Sequence, residues 1–139
     1  MSQQVKVYRD AKFLAGATIT GPRAVLEHHT ASDTLTFAES GSVHTNLGAV
    51  AAVNISLPQK GHDGAVAGLK GVYYDIVVMA AQNFRVDPGA AGAIYVAGAK
   101  GTDDKQLWAD DEAECLRVIG DGNGDWVAIN VVGTWTAEA

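Results

Sequence analysis

Residues 121–125, Asp-Gly-Asn-Gly-Asp, have the acidic and glycine-containing composition with which a calcium-binding loop begins. A loop of the EF-hand type also needs glycine at its sixth position and glutamate at its twelfth. This chain has Trp126 and Val132 at those two positions. Because glycine, asparagine and aspartate tolerate the backbone angles of tight turns, the segment predicts a turn between two strands rather than a calcium site.

A second group of side chains that could do chemistry is acidic and lies between residues 103 and 114. Such carboxylates could bind a divalent cation, face a basic partner or serve as the paired acids of a glycoside hydrolase. Carboxylates in a solvated loop are the commoner arrangement, and this is the interpretation we favour for the group. Its members are Asp103, Asp104, Asp110, Asp111, Glu112 and Glu114.

The histidines and the single cysteine offer no recognisable site by their spacing. His28 and His29 are adjacent, so in a strand they point to opposite faces, and neither pairs with His44 or His62 in a zinc-binding pattern. We therefore predict surface or interface histidines and no bound metal. Cys115 has no partner for an intrachain disulfide and is interpreted as a small buried hydrophobic residue.

Catalytic and cofactor motifs are missing from the rest of the sequence. The glycine pairs at residues 89–92 and 98–101 match neither a P-loop nor a dinucleotide-binding loop, and no G-x-S-x-G or H-E-x-x-H motif occurs. The aromatic residues could form a sugar-stacking platform, although core or subunit-interface positions are commoner. They are Tyr73, Tyr74, Tyr95, Trp108, Trp126 and Trp135. The sequence therefore predicts a protein that is not an enzyme and has no cofactor.

Composition limits the partners and the compartment. The chain has 139 residues, which suits one domain, and a formal net charge of −6, which disfavours nucleic acid and anionic membrane as partners. No apolar run is long enough to span a bilayer. The amino terminus lacks the apolar region of a signal peptide, so we expect synthesis in a cytoplasm without general secretory export.

Alternating apolar residues predict strands in most of the chain. Val53, Ile55 and Leu57 share one face, as do the residues at 72, 74, 76 and 78, and residues 115–119 and 126–136 flank the 121–125 turn as two strands. We predict an all-β fold, a compact antiparallel sandwich or barrel of jelly-roll type with an amino-terminal arm. Residues 1–33 form the arm or edge segment, and residues 34–139 form a single β domain.

Three finer predictions concern local structure. Residues 34–37 alternate, which places Leu35 and Phe37 on one face of a strand. Residues 84–86 and 93–96 flank a hairpin-like connection at 87–92. Asp103 is placed to cap a single helical turn in the polar segment that follows it.

Three stretches carry a resemblance to a known class of protein. One covers residues 77–88 and 92–96, another joins residues 124–128 with 133–136, and the third is the strand 53–58 with its Leu-Pro ending. Together they resemble small β-rich virion proteins of tailed bacteriophages. In that class a strand ending in Leu-Pro precedes a glycine-containing loop, an Arg-Val-Asp-Pro strand and a closing hairpin with Gly-Thr-Trp. The likeness covers roughly residues 43–136.

Within that class the chain is most similar to capsid decoration, or cement, proteins. The resemblance implies a homotrimer on the outer surface of the mature virion capsid that clamps adjacent subunits of the major capsid protein. An arm that adds a strand to a neighbour would supply main-chain hydrogen bonds, so we place the capsid or subunit contacts in residues 1–20, with the loop at 59–71 as a weaker candidate. The contact residues proposed are Val5, Val7, Tyr8, Phe13 and Leu14.

Two other functions stay open on the sequence alone. A module associated with the tail or its fibres could recognise a host surface glycan through a shallow groove formed by some of Trp108, Trp126 and Trp135. A small hydrolase could use buried carboxylates, which requires a cleft holding at least two of them with perturbed pKa values. Because catalytic motifs are absent, the hydrolase is the least favoured of the three functions.

Overall fold

The computed structural model of the chain describes residues 23–59 and 69–139. The predicted strand at residues 5–8, the five proposed contact residues and most of the 59–71 loop therefore lie outside the described residues. Within the described part, no helix is long and apolar enough to cross a membrane. The strands are β1 (Leu26–His28), β2 (Asp33–Thr34), β3 (Val43–Thr45), β4 (Val53–Ser56), β5 (Tyr73–Val77), β6 (Phe84–Asp87), β7 (Ile94–Val96), β8 (Ala99–Lys100), β9 (Leu107–Ala109), β10 (Cys115–Gly120), β11 (Trp126–Val132) and β12 (Thr136–Ala137).

The strands form two mixed sheets, which confirms the predicted all-β fold and is consistent with a sandwich. One sheet has seven strands in the order β1-β3-β5-β10-β11-β7-β8, and the other has five in the order β12-β9-β6-β4-β2. The chain alternates between the sheets from β1 to β7. Consequently β1, β3 and β5 lie side by side and run parallel, as do β2, β4 and β6. Each antiparallel pair includes a strand from β7 onward, so the predicted antiparallel pairing holds for these pairs and not for the pairs among β1 to β6.

This alternation corrects the prediction of a hairpin around residues 87–92. Strand β6 belongs to the five-stranded sheet and β7 to the seven-stranded sheet, so the connection crosses the sandwich. The hairpin predicted around residues 121–125 is present, because β10 and β11 pair antiparallel on either side of it. Its second strand ends at Val132, since Gly133 has a φ of 86° and the chain then crosses to pair β12 with β9.

The core lies between the sheets and follows the alternating pattern. Val53, Ile55 and Leu57 are buried, as are the four residues at 72, 74, 76 and 78. Tyr74 and Trp126 pack with ring centroids 5.9 Å apart, and the Tyr74 hydroxyl donates a 2.6 Å hydrogen bond to the Thr36 carbonyl. Burying these rings contributes a large share of the apolar stabilisation.

Three local predictions were wrong. Leu35 is buried but Phe37 is exposed, because a 3-10 turn at Phe37–Glu39 replaces the strand after Leu35. The Glu39 carboxylate holds this turn by accepting hydrogen bonds from the backbone N–H and the hydroxyl of Thr36. Asp103 begins a short turn rather than a helix, and Asp104 there has a φ of 63°. Cys115 is half-buried rather than buried.

Candidate functional site

A cluster of polar side chains lies on the inner side of β1, the edge strand among the described residues, and of its neighbour β3. The two strands pair in parallel with Glu27 opposite His44, and His29 follows Glu27 by two residues, so the three side chains face the same way. His44 has no exposed surface and His29 is also buried. The prediction of surface or interface histidines was therefore wrong for these two, because the pairing of β1 with β3 places both side chains on the inner face of the sheet.

Hydrogen bonds join this cluster into a chain. His29 Nε2 lies 2.9 Å from His44 Nδ1, His44 Nε2 lies 2.6 Å from Ser42 Oγ, and Ser42 Oγ donates to the Glu39 carbonyl. Because the serine hydroxyl has one proton and gives it to that carbonyl, His44 Nε2 must be the donor to Ser42. His44 Nδ1 is then an acceptor, and His29 Nε2–H donates to it.

These proton directions decide what chemistry Ser42 can perform. A serine nucleophile needs a histidine nitrogen that accepts its proton. Here His44 donates to Ser42, and the serine proton already serves a backbone carbonyl. The Ser42–His44 pair is therefore arranged as a fixed hydrogen-bond chain rather than as an activated nucleophile.

Electrostatics keep His44 neutral. Burial, reinforced by the neighbouring His29, lowers the pKa of His44 to about 4. Two carboxylates lie near the cluster on its more exposed side. Glu27 Oε2 is 3.8 Å from His44 Nδ1, and Asp33 Oδ2 is 3.7 Å from His29 Nδ1.

His28 is exposed and lies on the other face of β1, where its Nδ1 is 2.6 Å from Thr45 Oγ1. The opposite orientation of the adjacent histidines was thus predicted correctly. The inward cluster was missed because no pattern of histidines alone marks it. The signal was the two-residue spacing of Glu27 with His29 and of Ser42 with His44, which places each pair on one face of a strand.

The acidic group divides into exposed carboxylates and one buried carboxylate. Asp103, Asp104, Asp110, Asp111 and Glu112 are exposed, as predicted for a solvated loop. Glu114 is buried instead and accepts hydrogen bonds from the backbone N–H groups of Thr134, Asp111 and Asp110. These hydrogen bonds to the carboxylate connect the loop before β10 to the segment after β11.

Glu114 should make the fold sensitive to acid. The hydrogen bond from the Thr134 backbone, with those from Asp111 and Asp110, holds the pKa of Glu114 below its ordinary value of 4.5. A carboxyl whose pKa is lower in the folded state contributes stability above the ordinary pKa, and this is lost as pH falls through the folded pKa. We expect the free energy of unfolding, measured by urea titration from pH 6 to pH 2.5, to fall less steeply in Glu114→Gln than in wild type. Equal slopes would contradict this assignment.

The segment at residues 121–125 forms the predicted turn. Asp121 Oδ1 accepts hydrogen bonds from the backbone N–H groups of Asn123 and Asp125, at 2.7 and 3.1 Å. The Asp125 carboxylate accepts from the Ala93 N–H at 2.9 Å and pairs with Lys100 Nζ at 2.9 Å. The acidic groups of this turn therefore stabilise the connection between β7, β8 and β11.

The outer faces of the two sheets differ in chemistry. The five-stranded sheet presents Asn54, Ser56, Arg85 and Asp87 on its outer face. The seven-stranded sheet carries a bidentate ion pair between Asp75 and Arg117 on its outer face and presents apolar side chains along the adjacent β11, where Val127 and Ile129 are each 36% exposed. Val131 and Val132 extend this exposed apolar strip, which we call the β11 strip (Val127, Ile129, Val131 and Val132).

The predicted tryptophan groove is not assembled as a unit. Trp126 is buried in the core, and Trp108 lies on β9 of the five-stranded sheet. Trp135 is half-buried and lines a depression of about 350 Å³ together with Val96, Leu107 and Gln106. Lys100 and Glu138 lie at the same depression.

Two comparisons with known proteins gave no match. A scan against protein-family models found no match. A search of curated proteins also found none.

Proposed function

We propose that this chain is a structural protein of a tailed-phage virion that binds the outer surface of the mature capsid. In this proposal it stabilises the shell by clamping adjacent subunits of the major capsid protein, and it acts as a homotrimer without a cofactor. The observation that carries the proposal is the β11 strip, an apolar strip on an outer sheet face where solvent contact is expected to favour polar residues.

The β11 strip indicates a contact surface because it differs from the polar outer face of the five-stranded sheet. The polar face carries hydrogen bonds such as those from Asn54 and Gln106 to the Asp87 carboxylate, at 3.4 and 3.3 Å. A face of this kind is stable in water by itself. The β11 strip leaves four apolar side chains exposed on one strand, which favours burial against another protein surface.

A clamp needs a second contact surface, and one end of the sandwich offers it. The Asn46 side chain bonds to backbone groups of Met79, Ala80 and Gln82, which holds the loop after β3 against the loop after β5. Exposed apolar side chains project from these loops, and Val50 is 90% exposed. Leu47 and Met79 are the others.

Binding would stabilise the capsid by linkage. A protein that binds only the expanded lattice lowers the free energy of that lattice by its own binding free energy. The proposed contacts at Val5, Val7, Tyr8, Phe13 and Leu14 are also part of this proposal. They precede β1, which is an edge strand of the seven-stranded sheet.

Val127→Lys should weaken capsid binding strongly if the β11 strip is the contact surface. The substitution puts a charge into an apolar interface, and we expect a loss of binding of roughly hundredfold because desolvating an unpaired charge costs several kcal/mol. Binding is measured by co-sedimentation with capsids assembled without this protein. Ser56→Lys, which adds the same side chain to the polar outer face, is the matched control.

The oligomeric state of each variant separates the two surfaces that the strip could contact. Val127→Lys that remains an intact oligomer but fails to co-sediment places the strip at the capsid. Val127→Lys that dissociates places the strip between subunits. Wild-type binding by Val127→Lys, or an equal loss in Ser56→Lys, would contradict the role of the strip.

The 350 Å³ depression beside Trp135 favours recognition of a glycan as the second candidate. An aromatic ring beside amide, amine and carboxylate groups is the usual composition of a sugar-binding site, because the ring stacks and the polar groups bond to hydroxyls. This candidate would gain support if a glycan array gave a signal that Trp135→Ala removes. It would lose support if the array gave no signal.

A further inference from the structure

Three potential ligand atoms converge on one point in the polar cluster behind β1. His44 Nδ1 lies 2.9 Å from His29 Nε2 and 3.8 Å from Glu27 Oε2. One ligand atom from each of Glu27, His29 and His44 lies within 4.8 Å of the other two. Ligand atoms at about 2.0–2.1 Å from a tetrahedral zinc ion are about 3.3 Å apart, so the two measured spacings bracket the value that a bound ion requires.

The surroundings of both imidazoles suit them as ligands. His44 Nε2–H donates to Ser42 Oγ, which keeps Nδ1 unprotonated, 2.9 Å from His29 Nε2 and 3.8 Å from Glu27 Oε2. Without an ion the His29 proton is on Nε2; binding an ion moves it to Nδ1, which faces the Asp33 carboxylate at 3.7 Å, and so frees the Nε2 lone pair. Metal-binding histidines in proteins commonly give their second nitrogen to a carboxylate or a hydroxyl in this way.

The Glu27 carboxylate completes the ligand set. Its Oε2 lies 3.8 Å from His44 Nδ1, on the exposed side of the two imidazoles. The His44 Nδ1 lone pair accepts the His29 Nε2–H when no ion is bound. A cation in place of that proton would attract both imidazole lone pairs and the carboxylate.

We propose that Glu27, His29 and His44 bind one divalent transition-metal ion, with zinc as the best-fitting member of that class. Two imidazoles and a carboxylate are borderline ligands that suit zinc better than magnesium or calcium. The ion joins β1 to β3 and so fastens an edge strand of only three residues to the sheet. This proposal is independent of the capsid function.

The site is open to ions on one side. The Glu27 side chain is 42% exposed, whereas His44 is fully buried, so an ion enters past the carboxylate and reaches the imidazoles behind it. Three protein ligands leave the fourth position of a tetrahedral ion for water. The ion ties down the strand, and the structure assigns it no reaction.

Zinc titration of the full chain, prepared without a polyhistidine tag, tests the site. We expect calorimetry to give one zinc per chain, and both Glu27→Gln and His29→Ala to weaken binding about tenfold or more, because each loses a ligand. His28→Ala is the matched control, since it removes a neighbouring histidine on the other face of β1 and should bind as wild type does. Circular dichroism establishes that each variant is folded.

Thermal unfolding provides a second test of the zinc site. Zinc should raise the Tm of wild type and of His28→Ala by the same amount, and it should raise the Tm of Glu27→Gln by less at the same zinc concentration. Glu27→Gln keeps the shape of a partly exposed side chain, so its fold should survive. The proposal is overturned if wild type binds no zinc, if Glu27→Gln and His29→Ala bind it as tightly as wild type, or if His28→Ala loses the binding.

Discussion

Glu114→Ala is expected to lower the free energy of unfolding by about 3 kcal/mol. The carboxylate accepts three backbone hydrogen bonds, from Thr134, Asp111 and Asp110, and these donors lose their charged acceptor in the variant. Each hydrogen bond to a charged group contributes on the order of 1.5–3 kcal/mol, and water replaces part of this at the exposed donors. Urea unfolding followed by tryptophan fluorescence measures the loss.

Glu112→Ala is the matched control for this prediction. Glu112 is exposed and two residues away, so its replacement should change the free energy of unfolding by less than about 0.5 kcal/mol. A comparable loss in both variants would mean that the general acidity of the loop matters, and the assigned role of Glu114 would be wrong.

Gly120→Ala is expected to cost about 3 kcal/mol or more. A Cβ at this position would overlap the backbone carbonyl of Leu69, and a backbone atom cannot swing aside as a flexible side chain can. The backbone around Gly120 is also anchored, because its N–H donates to the Val72 carbonyl and its carbonyl accepts from Gly71. Relieving the overlap therefore means separating the end of β10 from residues 69–72.

Gly98→Ala separates steric overlap from backbone strain. Gly98 has a φ of 83°, but among the described residues no atom lies within 4 Å of where an added Cβ would stand, so its substitution should cost only about 1 kcal/mol. Thermal unfolding of the two variants side by side measures the difference. Equal losses would show that packing against Leu69 is not what requires glycine at position 120.

The strands and the core were predictable because alternation is a local property. Val53, Ile55 and Leu57 face inward as their spacing required, and the turn at residues 121–125 followed from its own residue types. The order of strands in the sheets was not predictable in this way. The path by which β6 and β7 separate into different sheets depends on contacts between distant residues, which no single segment encodes.

The burial of individual polar side chains was also not predictable from the sequence. Glu114 and Asp111 differ little as sequence positions, yet only Glu114 turns inward and collects backbone donors. His44 is buried because β3 places it behind Glu27 and against Tyr74, a relation that exists only once β1, β3 and β5 are paired. Such groups depend on tertiary register, so pattern reasoning placed them on the surface.

The proposed capsid function places this protein in a phage virion, and its copy number in purified virions tests that proposal most directly. Quantitative mass spectrometry of intact particles gives the ratio of this chain to the major capsid protein. We predict a ratio near that of a shell component, with one trimer for a small fixed number of capsid subunits. A handful of copies per particle, or none, would contradict capsid cementing and would direct attention to the depression beside Trp135.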